Sequence, residues 1–591
     1  MASAQMDSVV LDSTCITVRG HVDSRKTIDF MVSDASTLTD VLNQHAAVFV
    51  KSASGSALST VSIRGGTPEQ SAVFWNGLSL SNTLNGNVDL SLLPSLAFDE
   101  IRLNASNSVH SGSGATAGSL ELKSGKFDTS KVLLFQAGAG SFGAYNAAIK
   151  SVFHAKKSRA SLVSYIRGGQ NNYTVQVGST PSNTKRLENA AFSMAGMLYA
   201  HQIDLKKSNP LNIRLWAQTS TRQIPATLLE AASQKSQIDH SIRLQSDWSK
   251  IIGRNEVKLI IGSFLESLQY ADSVSQIFSD YAFINNSLLV HYTRRQSKYI
   301  HIGIDLESRH FGADADTFYN QTRIELCEGM HVKYERNNWL AHIGTRFVQY
   351  TTSTDKPILV SAQLNRRFSK NWGVMTLFST NYRQPTFNSL YWNPGGKPLL
   401  TAEKSTNSEV SIDYSGAHWE VKTNVYSNYI KDQIRWVPGS DGIFEAQQIV
   451  DQVQWNRGVE LSSTYKIKGV SFETGFTRIL STVKEQSDKW QQTFVPLFQG
   501  NAGIGYAKSN WRAHYGLQVV SKRFTDTENK EYLPAYALHN AQVAWHNKAL
   551  EFKLTAWNLG GLSYTILPFR PNPPRNFQLD ITYKLNKNNN K

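Results

Sequence analysis

The chain has 591 residues, 40% apolar and 11% aromatic but only 18% charged, and 61 Lys and Arg against 46 Asp and Glu leave a formal charge of +15. No apolar run approaches the roughly 18 residues of a spanning helix, which excludes a helical membrane protein, and an aromatic surplus with few charges fits a membrane barrel better than a soluble enzyme. The basic residues form no block, which argues against a nucleic-acid surface and assigns the excess to a lumen and loops facing water and lipopolysaccharide phosphates.

The first residues, MASAQMDSVV, hold neither a positive n-region nor an apolar h-region, so no export signal is legible there. Residues 12–18 (Asp12, Ser13, Thr14, Cys15, Ile16, Thr17 and Val18) form a short β-prone segment after a polar start. Cys15 and Cys327 lie too far apart to suggest a metal knuckle. Residues 36–50 predict a short helix leading into a strand: Thr37 can cap it, and Leu38, Val41 and Leu42 share a face. Residues 51–58 (KSASGSAL) then read as a loop of small residues. Three apolar alternating pieces follow, at 61–63, 72–75 and 119–122. Asn76-Gly77 between them suits a tight hairpin, because both residues tolerate positive φ. A second neutral loop spans 79–87 (SLSNTLNGN), and the glycine-rich piece at 112–118 reads as a turn.

From about residue 131 the pattern changes and stays changed. Ile300, Ile302, Ile304 and Leu306 alternate with His301, Gly303, Asp305 and Glu307; Phe577, Leu579, Ile581, Tyr583 and Leu585 alternate with Gln578, Asp580, Thr582 and Lys584. Period two gives every strand one apolar and one polar face. A soluble sandwich would show the same alternation, so periodicity leaves open which face meets lipid. The strand number argues for closure, since open sheets rarely exceed about ten strands. About 460 residues at roughly 21 per strand and loop give around 22 strands, a barrel wide enough to need a plug.

Several motifs, in order, resemble the TonB-dependent outer-membrane receptor family. Its plug domain is matched by Arg64-Gly65, Asn76-Gly77, Asp89-Leu90-Ser91 with Pro94, and Gly112, Gly114 and Gly118, with Ala117 departing from the family's glycine. Its barrel is matched by Tyr382-Arg383-Gln384-Pro385-Thr386 and Glu403-Lys404-Ser405, and by Tyr426, Asp432, Ile434 and Trp436 ahead of Gly458-Val459-Glu460. Thr221 to Leu228 (TRQIPATL) is similar to Bacteroidota members. The resemblance implies an all-β membrane protein, an antiparallel transmembrane β-barrel of about 22 strands with an N-terminal α+β plug in its lumen. It divides the chain into a segment at 1–24, a plug at 25–128 and a barrel at 129–591.

The same resemblance implies active transport across the Gram-negative outer membrane, with an export signal removed from or missed in this chain. Residues 12–18 would be the TonB box, pairing by strand addition with TonB and its inner-membrane ExbB-ExbD motor. The outward plug loops would touch the ligand through Ser52, Ser54, Gly55, Ser56 and Leu58, and through Ser81, Asn82, Thr83 and Asn85. Hydroxyl and amide groups suit a polar, nearly uncharged ligand, whereas a polyanionic iron chelate would want more Arg and Lys. The arrangement most resembles the cobalamin (BtuB-type) receptors, so cobalamin or another corrinoid is the expected ligand and a ferric siderophore the alternative. A surface lipoprotein cap is the further expected partner. A passive pore or a barrel enzyme is the remote alternative. The chain contains no H-E-x-x-H, no phosphate-binding G-x-x-x-x-G-K-[ST], no C-x-x-C and no G-x-S-x-G, and residues 168–189 lack aspartate. No catalytic residue, cofactor or metal site is therefore expected.

Overall fold

In the barrel the polar face of each strand turns inward and the apolar face outward, the reverse of a soluble protein. On Ile300–Ala315, Ile304 and Leu306 are exposed while Asp305, Glu307 and Arg309 are buried. On Glu403–Ser415, Val410 and Ile412 are exposed while Glu403, Ser405, Asn407, Glu409 and Ser411 are buried. The last strand, Asn576–Asn586, repeats this with Leu579, Ile581 and Tyr583 outside and Asp580 and Thr582 inside. Exposed apolar area costs about 25 cal/mol per Å² in water, so so broad a greasy surface is stable only against lipid. The alternation left open by the sequence is thereby resolved.

The computed structural model describes residues 25–28, 38–45, 48–52, 57–104, 114–125, 127, 132–177, 182–206, 209–353, 355–440, 442–485 and 488–586. Its barrel is closed and antiparallel with 22 strands, as expected. Asp488–Gln491 and Phe498–Lys508 both pair with Val470–Glu485, so together they make one interrupted strand. Closure is between the last strand and the first, Val132–Gly140, in register from Gln578↔Gly140 to Asn586↔Val132. One end carries short turns, such as 253–254, 337–338, 468–469 and 509–510; the other carries the long connections 170–191, 384–402, 521–535 and 558–575. Short turns mark the periplasmic end of such barrels. Trp339, Trp372, Trp419 and Trp511 each open a strand at that end and are exposed, forming an aromatic girdle.

Within the bore lies a five-stranded sheet ordered Arg25–Ile28, Glu100–Asn104, Gly118–Lys123, Ser71–Trp75, Leu78–Ser79, beside a separate hairpin of Phe49–Ser52 with Ser59–Ser62. Asn76 (φ 47) and Gly77 (φ 90) form the expected tight turn, aligning Trp75 with Leu78. The short helix leading into a strand expected within 36–50 is present as Leu38–His45, which buries Leu38, Val41 and Leu42, ahead of the strand Phe49–Ser52. Ser71–Trp75 runs parallel to Gly118–Lys123, so its two faces are covered: by the plug's own core and by the barrel wall.

The largest apolar cluster joins the plug to the wall of a largely polar bore. Trp216, Met194, Leu198, Phe264 and Leu289 point inward and join the plug core. Trp75 meets Trp216 edge-on at 5.5 Å, and Phe98 meets the same ring at 5.6 Å. The Trp216 indole donates to the Tyr165 hydroxyl, and the Trp75 indole donates to the Ser124 hydroxyl, so neither buried N–H is stranded.

Candidate ligand and plug-locking site

The turn after Ser59–Ser62 places Arg64 and Gly65 against the barrel strands on the far side from Trp216. Arg64 takes positive φ (50°), a conformation that projects its side chain out of the plug. Its guanidinium donates to Glu409 at 2.8 Å and forks onto both oxygens of Glu460 at 2.9 and 2.6 Å, and it lies 4.2 Å from the Tyr426 ring centre. Burial alone would lower the Arg64 pKa, but the two carboxylates outweigh it and hold the charge above its ordinary value. At Gly65 (φ 79) an added Cβ would sit 2.9 Å from the Ser481 Cβ, so only glycine admits this approach. Its carbonyl accepts from Gln454 and Ser481. Nearby, the Thr116 carbonyl accepts from Ser405 and Asn428, and Gln70 donates to Glu403, which Arg383 also binds. The Arg64 flank of the plug is thus held chiefly by polar bonds, while the Trp216 flank adds aromatic packing to the polar bonds that Arg214 and Gln218 of the same strand make to the Ser124 and Leu92 carbonyls.

Asp89 makes a third attachment, nearer the outer end. One carboxylate oxygen accepts from the Ser59 and Ser91 amides; the other accepts from Arg222 at 2.6 Å. Arg222 also faces Asp239 at 3.5 Å. Arg222 belongs to the TRQIPATL segment and Asp89 to the DLS segment, so both were visible as motifs; their pairing was not, because 133 residues separate them.

The predicted ligand residues divide into groups. Asp12 to Val18, Ser54, Gly55, Ser56 and Gly112 lie outside the described residues. Ser52 is buried at the root of the first outward loop and, with Ser59, Asn43 and Ser91, lines a cavity of about 250 Å³ between plug and wall. The wall contributes Trp557 as a flat face and Asn146 and Asn540 as amides, and the outer connection 558–575 adds Tyr564 and Asn572. Leu58 is exposed nearby in sequence but does not line this cavity.

The second loop is placed elsewhere. Asn82 caps its own turn by accepting from the Leu84 amide. The Thr83 and Leu84 carbonyls accept from the amides of Phe387 and Asn388, and Asn85 accepts from the Asn388 side chain. Leu84 sits in an apolar cluster with Phe387, Phe318 and Ala313. This loop is therefore clamped through Thr83, Leu84 and Asn85 to the helix Phe387–Tyr391 in a long outer connection, while Ser81 and Asn82 are half-buried beside it. The structure does not bring the two loops' residues to one cavity. Sequence reasoning missed Trp557, which as a single aromatic at the end of an alternating strand carries no signal of facing the bore, and Tyr564, which lies in the connection 558–575.

Among the described residues no group of three or more His, Cys, Asp or Glu side chains converges as a metal site. Comparison with known proteins gives two family matches: "TonB-dependent Receptor Plug Domain" over residues 20–119 and "TonB dependent receptor-like, beta-barrel" over 169–561. A vitamin B12 transporter of Vibrio vulnificus is 21% identical over 571 residues, covering 90% of this chain and 85% of the relative. A second vitamin B12 transporter, from Photobacterium profundum, is 26% identical over 174 residues, covering 27% of this chain and 26% of the relative. Among solved structures, the FrpB iron transporter of Neisseria meningitidis superposes with TM-score 0.81 at 11% identity, covering 95% of this chain and 99% of that one. The ferric enterobactin receptor of Pseudomonas aeruginosa gives 0.78 at 11%, covering 95% and 98%. At such identities the solved structures share the fold and no more. The plug motif, the inverted barrel and the match to more than half of the sequence place this chain in the TonB-dependent receptor family, as an outer-membrane transporter and not an enzyme.

Proposed function

We propose that the protein imports cobalamin or another corrinoid. The observation that carries this reading is the chemistry of the cavity beside the plug. Its hydroxyl and amide groups match the carboxamide arms of a corrinoid, and Trp557 and Tyr564 offer flat faces to a macrocycle. Two cations line the cavity: Arg222 has Asp89 and Asp239 against it, and Arg167 lies 5.2 Å from the Phe192 ring, a smaller positive charge than a polyanionic chelate would want. Both curated relatives above being named vitamin B12 transporters supports the same reading.

Residues 12–18 are the proposed TonB contact, and Ser52 with Ser59 the proposed plug side of the ligand site. Ligand seated there presses on the hairpin of Phe49–Ser52 and Ser59–Ser62, whose far end leads directly to Arg64. A surface lipoprotein closing the outer end is the further proposed partner; a detergent pull-down from native membranes that recovers no lipoprotein would count against it. The deciding experiment is equilibrium binding of cyanocobalamin to the purified protein beside a ferric siderophore panel. Submicromolar corrinoid binding is expected. Siderophore binding without corrinoid binding would replace the ligand and leave the fold untouched.

A further inference from the structure

The excess positive charge is not spread as the sequence suggested. It gathers at the short-turn end of the barrel. Lys156, Arg254, Lys298, Arg336, Lys370, Lys468, Lys508 and Lys548 are exposed at or beside successive short turns; the turn at 416–418 carries His418 instead. Exposed carboxylates at that end are few, Glu256 and Glu420 among them, and Glu335 and Asp413 are paired with Lys333 and Arg367. At the opposite end Glu188, Asp280, Asp314, Asp316, Glu528 and Glu531 offset the exposed bases.

The density is greatest over three neighbouring turns, 296–299, 337–338 and 368–371. Arg294, Arg295, Lys298, Arg336, Arg366 and Lys370 are all exposed there, and none forms an ion pair among the described residues. Three of these cations are seated on aromatic rings: Arg366 lies 4.6 Å from the Trp339 ring centre and 4.8 Å from that of Phe368, and Arg336 and Lys298 lie 5.1 and 5.2 Å from that of Tyr299. Rings of this kind sit at the depth of lipid headgroups, so the cations above them are held at phosphate level. Guanidinium forks bind phosphate through paired hydrogen bonds, and clustered bases beside a membrane surface select anionic lipid.

We propose that this arc is a binding surface for the anionic glycerophospholipid headgroups of the periplasmic leaflet. The inference rests on the barrel's orientation and is independent of which nutrient is carried. Its test is native mass spectrometry of the full chain in detergent, titrated separately with phosphatidylglycerol, phosphatidylcholine and lipid A. Phosphatidylglycerol is expected to be retained at roughly tenfold lower concentration than phosphatidylcholine. The variant R294Q/R295Q/K298Q/R336Q/R366Q/K370Q should lose that preference, and the outer-end control K397Q/K404Q/K431Q should keep it. Should the sixfold variant fail to fold, R294Q/R295Q/K298Q and R336Q/R366Q/K370Q are read separately, each losing part of the preference. Equal retention of the two phospholipids, an unchanged preference in the arc variants, or its loss in the outer control would overturn the proposal. So would tighter retention of lipid A, or a co-purifying periplasmic protein that displaces the phospholipid.

Discussion

Arg64 keeps its charge in a place nearly closed to water because Glu409 and Glu460 both face it. Such an arrangement contributes little net stability while intact, yet removing its partners strands a buried charge at about 3–5 kcal/mol. The double variant E409Q/E460Q should therefore loosen residues 59–66, seen as faster backbone hydrogen exchange, while the barrel keeps its heat-modifiable migration on a gel. Unchanged exchange would show that the lock holds nothing. Glu230, in the outer loop 225–234, makes a second testable case. Its carboxylate accepts from Lys235 at 2.6 Å and from the Thr227 amide at 2.7 Å, which lowers its pKa from 4.5 to about 2. A depressed carboxylate favours the ordered loop above about pH 4.5, and that contribution is lost as pH falls toward 2. Carboxyl NMR should place the Glu230 midpoint below 3; a midpoint at the ordinary value would contradict the loop geometry.

At the scale of elements, the plug's Trp216 flank adds to its polar bonds a Trp–Trp–Phe contact that the Arg64 flank lacks. Polar bonds around Arg64, Gly65 and Thr116 can be exchanged for bonds to water at small net cost, whereas the Trp75–Trp216–Phe98 contact buries surface that water does not replace. A pulling force would part the polar flank first and leave the aromatic flank as the pivot. Trp216→Ala removes that pivot at about 3–5 kcal/mol and should speed exchange across residues 71–75 and 118–123 together. If only 59–66 responded, the pivot would lie elsewhere.

Much of this was legible beforehand. The Asn76-Gly77 hairpin followed from two residues that accept positive φ, and the strands followed from period-two alternation. The direction of each face was not legible, because a sandwich and a barrel write the same pattern. Nor were the contacts of Arg64, whose partners lie 345 and 396 residues away. The clamp on the second loop was not legible either, because nothing local in SLSNTLNGN announces the helix Phe387–Tyr391 that holds it.

For the whole molecule, the described residues form a greasy exterior, a polar bore and a lodged plug, and the outer membrane has no energy source of its own. The account above has import driven from the inner membrane through the proposed TonB contact at residues 12–18. Uptake of radiolabelled cyanocobalamin by outer-membrane cells stripped of their own receptor tests this most directly. We predict uptake when the full chain and TonB are both present, and none when TonB is absent or residues 12–18 are deleted. Uptake that persists in either case would make the barrel a passive pore and contradict the account.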